Sequence, residues 1–211
     1  MNILISGFTT FHYHRINPSE ELVRAIENEV FDGVNLTTCV LPVDQNQAPK
    51  QLLAHYQHCQ PDGVLLLGLA SGRHKISLER VAINLMDFNM PDNAGLLLKE
   101  QPIISEGPAA YFTTLPLRQI LAALYTNNIP AEISLSAGSF ICNQVFYVIM
   151  HEISIGQKPV KAGFIHLPAL PEISNSASDK TPLIPLDQMV QAVRIIINQI
   201  SNCSRCTAAE R

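Results

Sequence analysis

"AEISLSAGSFICNQVFYVIMH", residues 131–151, changes its period part-way along. "AEISLS" (131–136) alternates as a strand does, whereas Val145, Phe146, Ile149, Met150 and Ile153 follow Cys142 at helical spacing. "SAGS" between them supplies small residues and a glycine for a tight turn, so a helix is expected to start near Gly138. A strand turning directly into a helix is the repeating unit of α/β folds, whose sites lie beyond the carboxyl ends of the strands. Cys142 falls at that turn and permits two readings. It is a buried structural thiol, since its helix face is apolar and free cysteine is among the most buried residue types. Or it is a nucleophile at a helix start, where free N–H groups and the helix dipole favour thiolate over thiol and can receive an oxyanion.

Working outward, "NILISG" (2–7), "NLTTCVLPV" (35–43), "GVLLLGLA" (63–70), "ERVAINLMD" (79–87) and "VKAGFIHL" (160–167) read as strands. "SEELVRAIENEV" (19–30), "QLLAHYQHC" (51–59), "LPLRQILAALYTNN" (115–128) and "LDQMVQAVRIIINQIS" (186–201) read as helices. The alternation predicts an α/β fold: a single-domain twisted open sheet with helices packed on both faces. The whole chain, 1–211, is expected to be one domain, with 203–211 as a frayed tail. Segments 88–112 and 168–185 carry proline and polar residues and fit neither period, which suggests lids or binding loops.

Composition narrows the class of function. Hydrophobic residues make up 47% and charged residues 15%, which suits a globular core. The formal net charge of −4, with no basic run, argues against nucleic acid or an acidic membrane as partner. "MNILISGF" lacks the charged and long apolar regions of a signal peptide, and no apolar run is long enough to span a bilayer. The five cysteines, Cys39, Cys59, Cys142, Cys203 and Cys206, have no repeating spacing, and reduced thiols in the cytoplasm are expected.

Two further residues qualify for chemistry. His166, in "AGFIHLP", ends a strand and is either a half-buried histidine bonded to backbone or a general base near Cys142. Glu79 leads "ERVAINL", where alternation puts it on the face of Val81, Ile83 and Leu85. A carboxylate there needs a partner: an arginine such as Arg73 or Arg80, or a histidine that it orients. Other clusters are weaker. His12 and His14 have no neighbouring carboxylate or thiol, and His55, His58 and Cys59 fit a solvated helix end better than a metal site. Cys203 and Cys206 form a lone C-x-x-C near the C-terminus.

Five segments in order resemble the pyroglutamyl peptidase type I family. They are "GFTTF" with "INPSE", "ISLERVAINLMDFNMPDNAG", "GPAAYFTTLP", "SLSAGSFICNQVFY" and "AGFIHLP". The resemblance implies a cysteine exopeptidase that removes N-terminal L-pyroglutamate from peptides, with Cys142, His166 and Glu79 as triad and no metal or organic cofactor. It implies that Phe8 and Phe11 pinch the lactam ring and that Asn17, Phe140 and Ile141 line the pocket. It also implies a homotetramer. The chain departs from the family pattern at recognition positions: Thr10 for a proline, His12–Tyr13 for two glycines, Leu69 for a pocket glutamine and Asn89 for an arginine. These departures bear on specificity more than on thiol chemistry. The alternatives are a thiol amidohydrolase of the same fold with another acyl group, and a non-catalytic binding protein.

Overall fold

The computed structural model describes residues 1–12, 15–156, 158–171 and 183–209, with side chains of the last helix as far as residue 202. In chain order the elements are β1 (Asn2–Phe8), α1 (Pro18–Ile26), β2 (Asn35–Leu41), α2 (Gln47–Cys59), β3 (Gly63–Leu69), β4 (Ile76–Glu79) and β5 (Val81–Ile83). There follow β6 (Ala110–Phe112), α3 (Leu117–Thr126), β7 (Ala131–Ser134), α4 (Ile141–Ile155), β8 (Lys161–Leu167) and α5 (Leu186–Ala209). Six strands form one sheet in the order β2-β1-β3-β8-β4-β7, and β5 and β6 form a separate antiparallel ribbon. Neighbours in the large sheet run parallel except β8 and β4, so β4 and β7 oppose the other four strands.

The expected architecture is present. Successive residues of a strand face opposite sides, and β3 divides accordingly. Leu65 and Leu67 join the layer of α1, α3 and α5, while Val64 and Leu66 join the layer of α2 and α4. Both faces of the sheet are therefore covered, which explains why β3 reads as a continuous apolar run.

Element ends differ from the sequence reading for identifiable reasons. α1 stops at Ile26 instead of residue 30 because Val30, 93% exposed, has nothing to pack against. α2 starts at Gln47 instead of residue 51, with the Asp44 carboxylate accepting from the N–H groups of Asn46 (2.7 Å) and Gln47 (2.9 Å). α5 continues through the 203–209 segment expected to fray, and the side chains of Cys203 and Cys206 lie outside the described residues, as does His14.

The largest correction concerns 79–87. It is not one strand: β4 ends at Glu79, and after Arg80 the chain leaves the large sheet to pair with β6. The alternation argument for Glu79 fails with it. On β5 the buried residue is Ala82, whereas Val81 and Ile83 are half-buried. Glu79 is nevertheless fully buried, on β4. Segment 88–112 holds β6 at its end. Its turn is organised by Asp92, whose carboxylate accepts from the N–H groups of Gln45, Ala94 and Leu96, each at 2.9 Å. Of segment 168–185, residues 172–182 lie outside the described residues.

Candidate active site

The turn before α4 depends on Gly138, whose φ of +80° belongs to the left-handed region that glycine enters without penalty. α4 then begins at Ile141, three residues later than the sequence suggested, with Cys142 second in the helix. No side chain caps this end, and the first N–H groups of a helix have no intrahelical acceptor. The first turn is instead pinned by its next two residues. Asn143, fully buried, accepts from the Ile83 N–H (2.9 Å) and donates to the carbonyls of Ile83 (2.9 Å) and Leu85 (3.1 Å). Gln144 donates to the Gln45 carbonyl at 2.9 Å. Sequence reasoning missed both. The available signal was two polar residues interrupting an apolar helix just after the cysteine.

Gly68 brings the nucleophile candidate to the sheet. A Cβ there would lie 2.9 Å from Cys142 Sγ and 2.7 Å from the Phe164 ring. The β3–β8 register pairs Gly68 with His166, and residues paired across parallel strands face the same side of a sheet. Cys142 and His166 therefore share this side, with the His166 ring 4.7 Å from that of Phe164. Gly68→Ala is expected to destabilise the fold by about 1–3 kcal/mol through overpacking. It should also slow alkylation of Cys142 at least about tenfold, because the added methyl takes the space beside the thiol. Urea unfolding and timed iodoacetamide labelling measure the two effects.

β4 approaches β8 from the opposite direction, and Ser77 pairs with His166. Glu79, two residues further along β4, faces the same side from deeper in the sheet. Its Oε1 lies 2.7 Å from His166 Nδ1 and 2.5 Å from Arg73 Nη1. The sequence left arginine and histidine as alternative partners for Glu79; it has both, on one oxygen. An ionised carboxylate only accepts hydrogen bonds, so Nδ1 of neutral His166 carries the proton and Nε2 is its basic nitrogen.

The electrostatics follow from burial. Burial pushes the Cys142 thiol up to about 12; the Glu79 charge adds to this, and Arg73 and the cysteine's own backbone N–H oppose it without reversing it. Cys142 is only partly covered from solvent, yet the protein packed around it outweighs the helix start. Burial therefore works against the thiolate that the helix start favours. Burial also holds His166 below the usual histidine value, against the hydrogen bond and charge of Glu79, while Arg73 pushes the same way as burial. For Glu79, burial works to raise the carboxyl, but its hydrogen bonds and the charges of His166 and Arg73 leave it lowered.

Beside Cys142 opens a cavity of about 160 Å³. Phe8, Phe11, Asn17, Leu69, Phe140 and Ile141, all expected there, line it together with Cys142. Asn89 does not: it points to solvent, and Met90 takes the place on the wall. His12, flagged at a recognition position, also lines it, and Val43 and Ser71, which were not anticipated, complete the lining. Asn17 stands in the wall with its polar atoms already engaged. Its Oδ1 accepts from the N–H (3.1 Å) and hydroxyl (2.8 Å) of Ser19, and its Nδ2 donates to the Thr9 carbonyl at 2.9 Å. It holds the Phe8–Phe11 loop against α1. His12 adopts φ +56°, in the left-handed region that favours the glycine the resemblance implies at this position. Among the described residues no group of three or more histidine, cysteine or acidic side chains is gathered as metal ligands would be, and His55, His58 and Cys59 stay on the far part of α2.

Known proteins are similar to this chain in sequence and fold. A family model described as pyroglutamyl peptidase matches residues 1–203. The chain belongs to the pyroglutamyl peptidase family. The pyrrolidone-carboxylate peptidase of Vibrio vulnificus is 41% identical over 195 residues, 92% of this chain and 90% of the relative. That of Thermococcus onnurineus is 41% identical over 198 residues, 93% and 97% of the two chains. The solved pyroglutamyl peptidase I of Bacillus amyloliquefaciens superposes with a TM-score of 0.89 at 34% identity, over 94% of each chain. A mutant pyrrolidone carboxyl peptidase from Pyrococcus furiosus superposes with a TM-score of 0.92 at 33% identity, over 96% of this chain and 99% of that one. Membership of the pyroglutamyl peptidase family makes this chain a cysteine exopeptidase. No described helix is long and apolar enough to cross a membrane.

Proposed function

We propose that this enzyme removes N-terminal pyroglutamate from peptides, with Cys142 as nucleophile, His166 as general base and acid, and Glu79 as the group that orients His166. The observation that carries the reading is the His166 Nδ1–Glu79 Oε1 pair at 2.7 Å, on the same side of the sheet as a cysteine that opens onto a largely apolar cavity. An uncharged lactam suits such a wall.

The resting pair is a neutral thiol and a neutral imidazole, given the opposite directions in which burial moves them. The proton therefore moves during attack. Cys142 Sγ bonds to the carbonyl carbon of the pyroglutamyl–peptide bond while His166 Nε2 takes the thiol proton. The carbonyl oxygen becomes an oxyanion, and the uncapped N–H groups at the start of α4 are suited to receive it. The C–N bond then breaks as the imidazolium returns its proton to the leaving amine. Water, deprotonated by the same nitrogen, cleaves the thioester and frees the thiol. Glu79 stabilises the imidazolium that forms in both halves.

This scheme has a pH signature. Because His166 must be unprotonated and its titration lies below the usual value of about 6.5, the acid limb of kcat/KM should fall below that pH. Thiolate absorbance at 240 nm should be absent at pH 7. A thiolate present at rest would replace concerted proton transfer with a preformed ion pair.

Release of amine from a chromogenic pyroglutamyl amide, measured beside the corresponding prolyl, acetyl and glutaminyl amides, tests the substrate. Turnover of the pyroglutamyl amide alone is expected. The second reading, another small acyl group, has Leu69 and His12 in the cavity wall in its favour, and preferential turnover of a different amide would establish it. The homotetramer implied by the resemblance is checked by light scattering on the same preparation.

A further inference from the structure

We propose that Arg73 is a positioning residue that acts on His166 through Glu79 and ties that pair to the turn before Cys142. The proposal deepens the reaction given above and rests on its roles for Cys142 and His166. Arg73 lies in the β3–β4 loop. Its Nη1 donates to Glu79 Oε1 at 2.5 Å, the same oxygen that receives His166 Nδ1–H at 2.7 Å. Its Nη2 donates to the Ser136 carbonyl at 2.9 Å, two residues before the Gly138 turn. One guanidinium thus holds both the carboxylate that orients the base and the loop that sets where α4 begins.

The shared oxygen has an electrostatic consequence. A carboxylate oxygen already bonded to a guanidinium has less negative potential left for an imidazolium, and the cation repels that imidazolium directly. Among the described residues, the charged groups acting on His166 are Glu79 from β4 and Arg73 from the loop; β4 also presents Ser77, which bonds to Glu132, β3 presents Gly68 with Cys142 beside it, and β8 itself presents Phe164. Arg73 therefore keeps His166 unprotonated at lower pH and eases removal of the Cys142 proton. Loss of its charge should move the acid limb upward, a change that a merely structural arginine would not produce.

The test compares Arg73→Gln, neutral but still a donor, with Arg73→Lys, which keeps the charge and gives up the fork. The acid limb is read twice. One measure is kcat/KM on a pyroglutamyl amide; the other is the pH profile of iodoacetamide labelling at Cys142, followed by peptide mass spectrometry. For Arg73→Gln, kcat should fall about tenfold or more with KM within about twofold, and both acid limbs should rise by about one pH unit. Arg73→Lys should keep the limbs within about 0.3 unit of the parent while losing part of kcat. Equal losses with unmoved limbs, or a downward shift, overturn the proposal. Should Arg73→Gln not fold, a limb displaced by more than about half a unit in Arg73→Lys overturns it. The labelling profile needs no substrate, so a protein inactive on pyroglutamyl amides would refute the substrate reading and leave the Arg73 result standing.

Discussion

Replacing Cys142 with alanine is expected to lower kcat/KM on a pyroglutamyl amide by about 10,000-fold or more, to the level of background hydrolysis. The covalent step disappears with the sulfur, and no other described thiol is placed to substitute. Cys39 is buried on β2 with its thiol pushed up to about 12, and Cys59 sits at the end of α2. The reverse protein makes the test decisive. With Cys39, Cys59, Cys203 and Cys206 all replaced by alanine and the fold verified by circular dichroism, turnover should persist and iodoacetamide should still abolish it. A folded four-alanine protein without activity, beside an active Cys142→Ala, would assign the chemistry to another cysteine.

His166→Ala should cost about 1,000- to 10,000-fold in kcat, and Glu79→Gln markedly less, about 100-fold. The first removes the group that the proposed scheme uses to carry the proton. The second leaves the imidazole in place with an amide oxygen still able to accept from Nδ1–H, but removes the charge that stabilises the imidazolium. The sign of the accompanying pH change is informative. Glu79 raises the proton affinity of His166 and Arg73 lowers it, so with the carboxylate gone and Arg73 kept, the acid limb should move down. That is opposite to the shift expected when Arg73 loses its charge. Cys142 should remain open to alkylation in Glu79→Gln. Unchanged turnover and an unmoved limb in this variant would give Glu79 a structural role alone.

Much of this site is legible from residue order, and the remainder depends on long-range contacts that no local pattern carries. The strand–turn–helix around Gly138 and the apolar run of β3 are local, and both are found. The burial of Glu79 and its need for a partner are also legible, although the alternation used to argue them ran across a break at Arg80. That break was invisible because β5 finds its partner in Ala110–Phe112, about thirty residues on. The Asp92 turn and the Asn143 clamp are hidden for the same reason: each joins backbone groups separated in sequence by tens of residues. The state of Cys142 could not be read from its position at the start of α4. Burial of the thiol, which pushes it up to about 12, depends on residues from elsewhere in the chain.

The reversed direction of β4 puts its first residues near the mouth of the site and its last residue, Glu79, inside the sheet. His166 and Glu79 are thus carried by paired strands that run in opposite directions, β4 entering from the mouth. The positions where the resemblance implies departures from the family pattern, Leu69, Asn89 and the His12 loop, are at a strand tip or in connecting segments. In the proposed assignment, His166 and Glu79 are held by strands of the sheet, while much of the cavity wall comes from loops and strand ends. Loops around the cavity can drift, or be exchanged between relatives, without the proton relay having to be rebuilt, which makes this scaffold a practical starting point for selecting new acyl-group preferences.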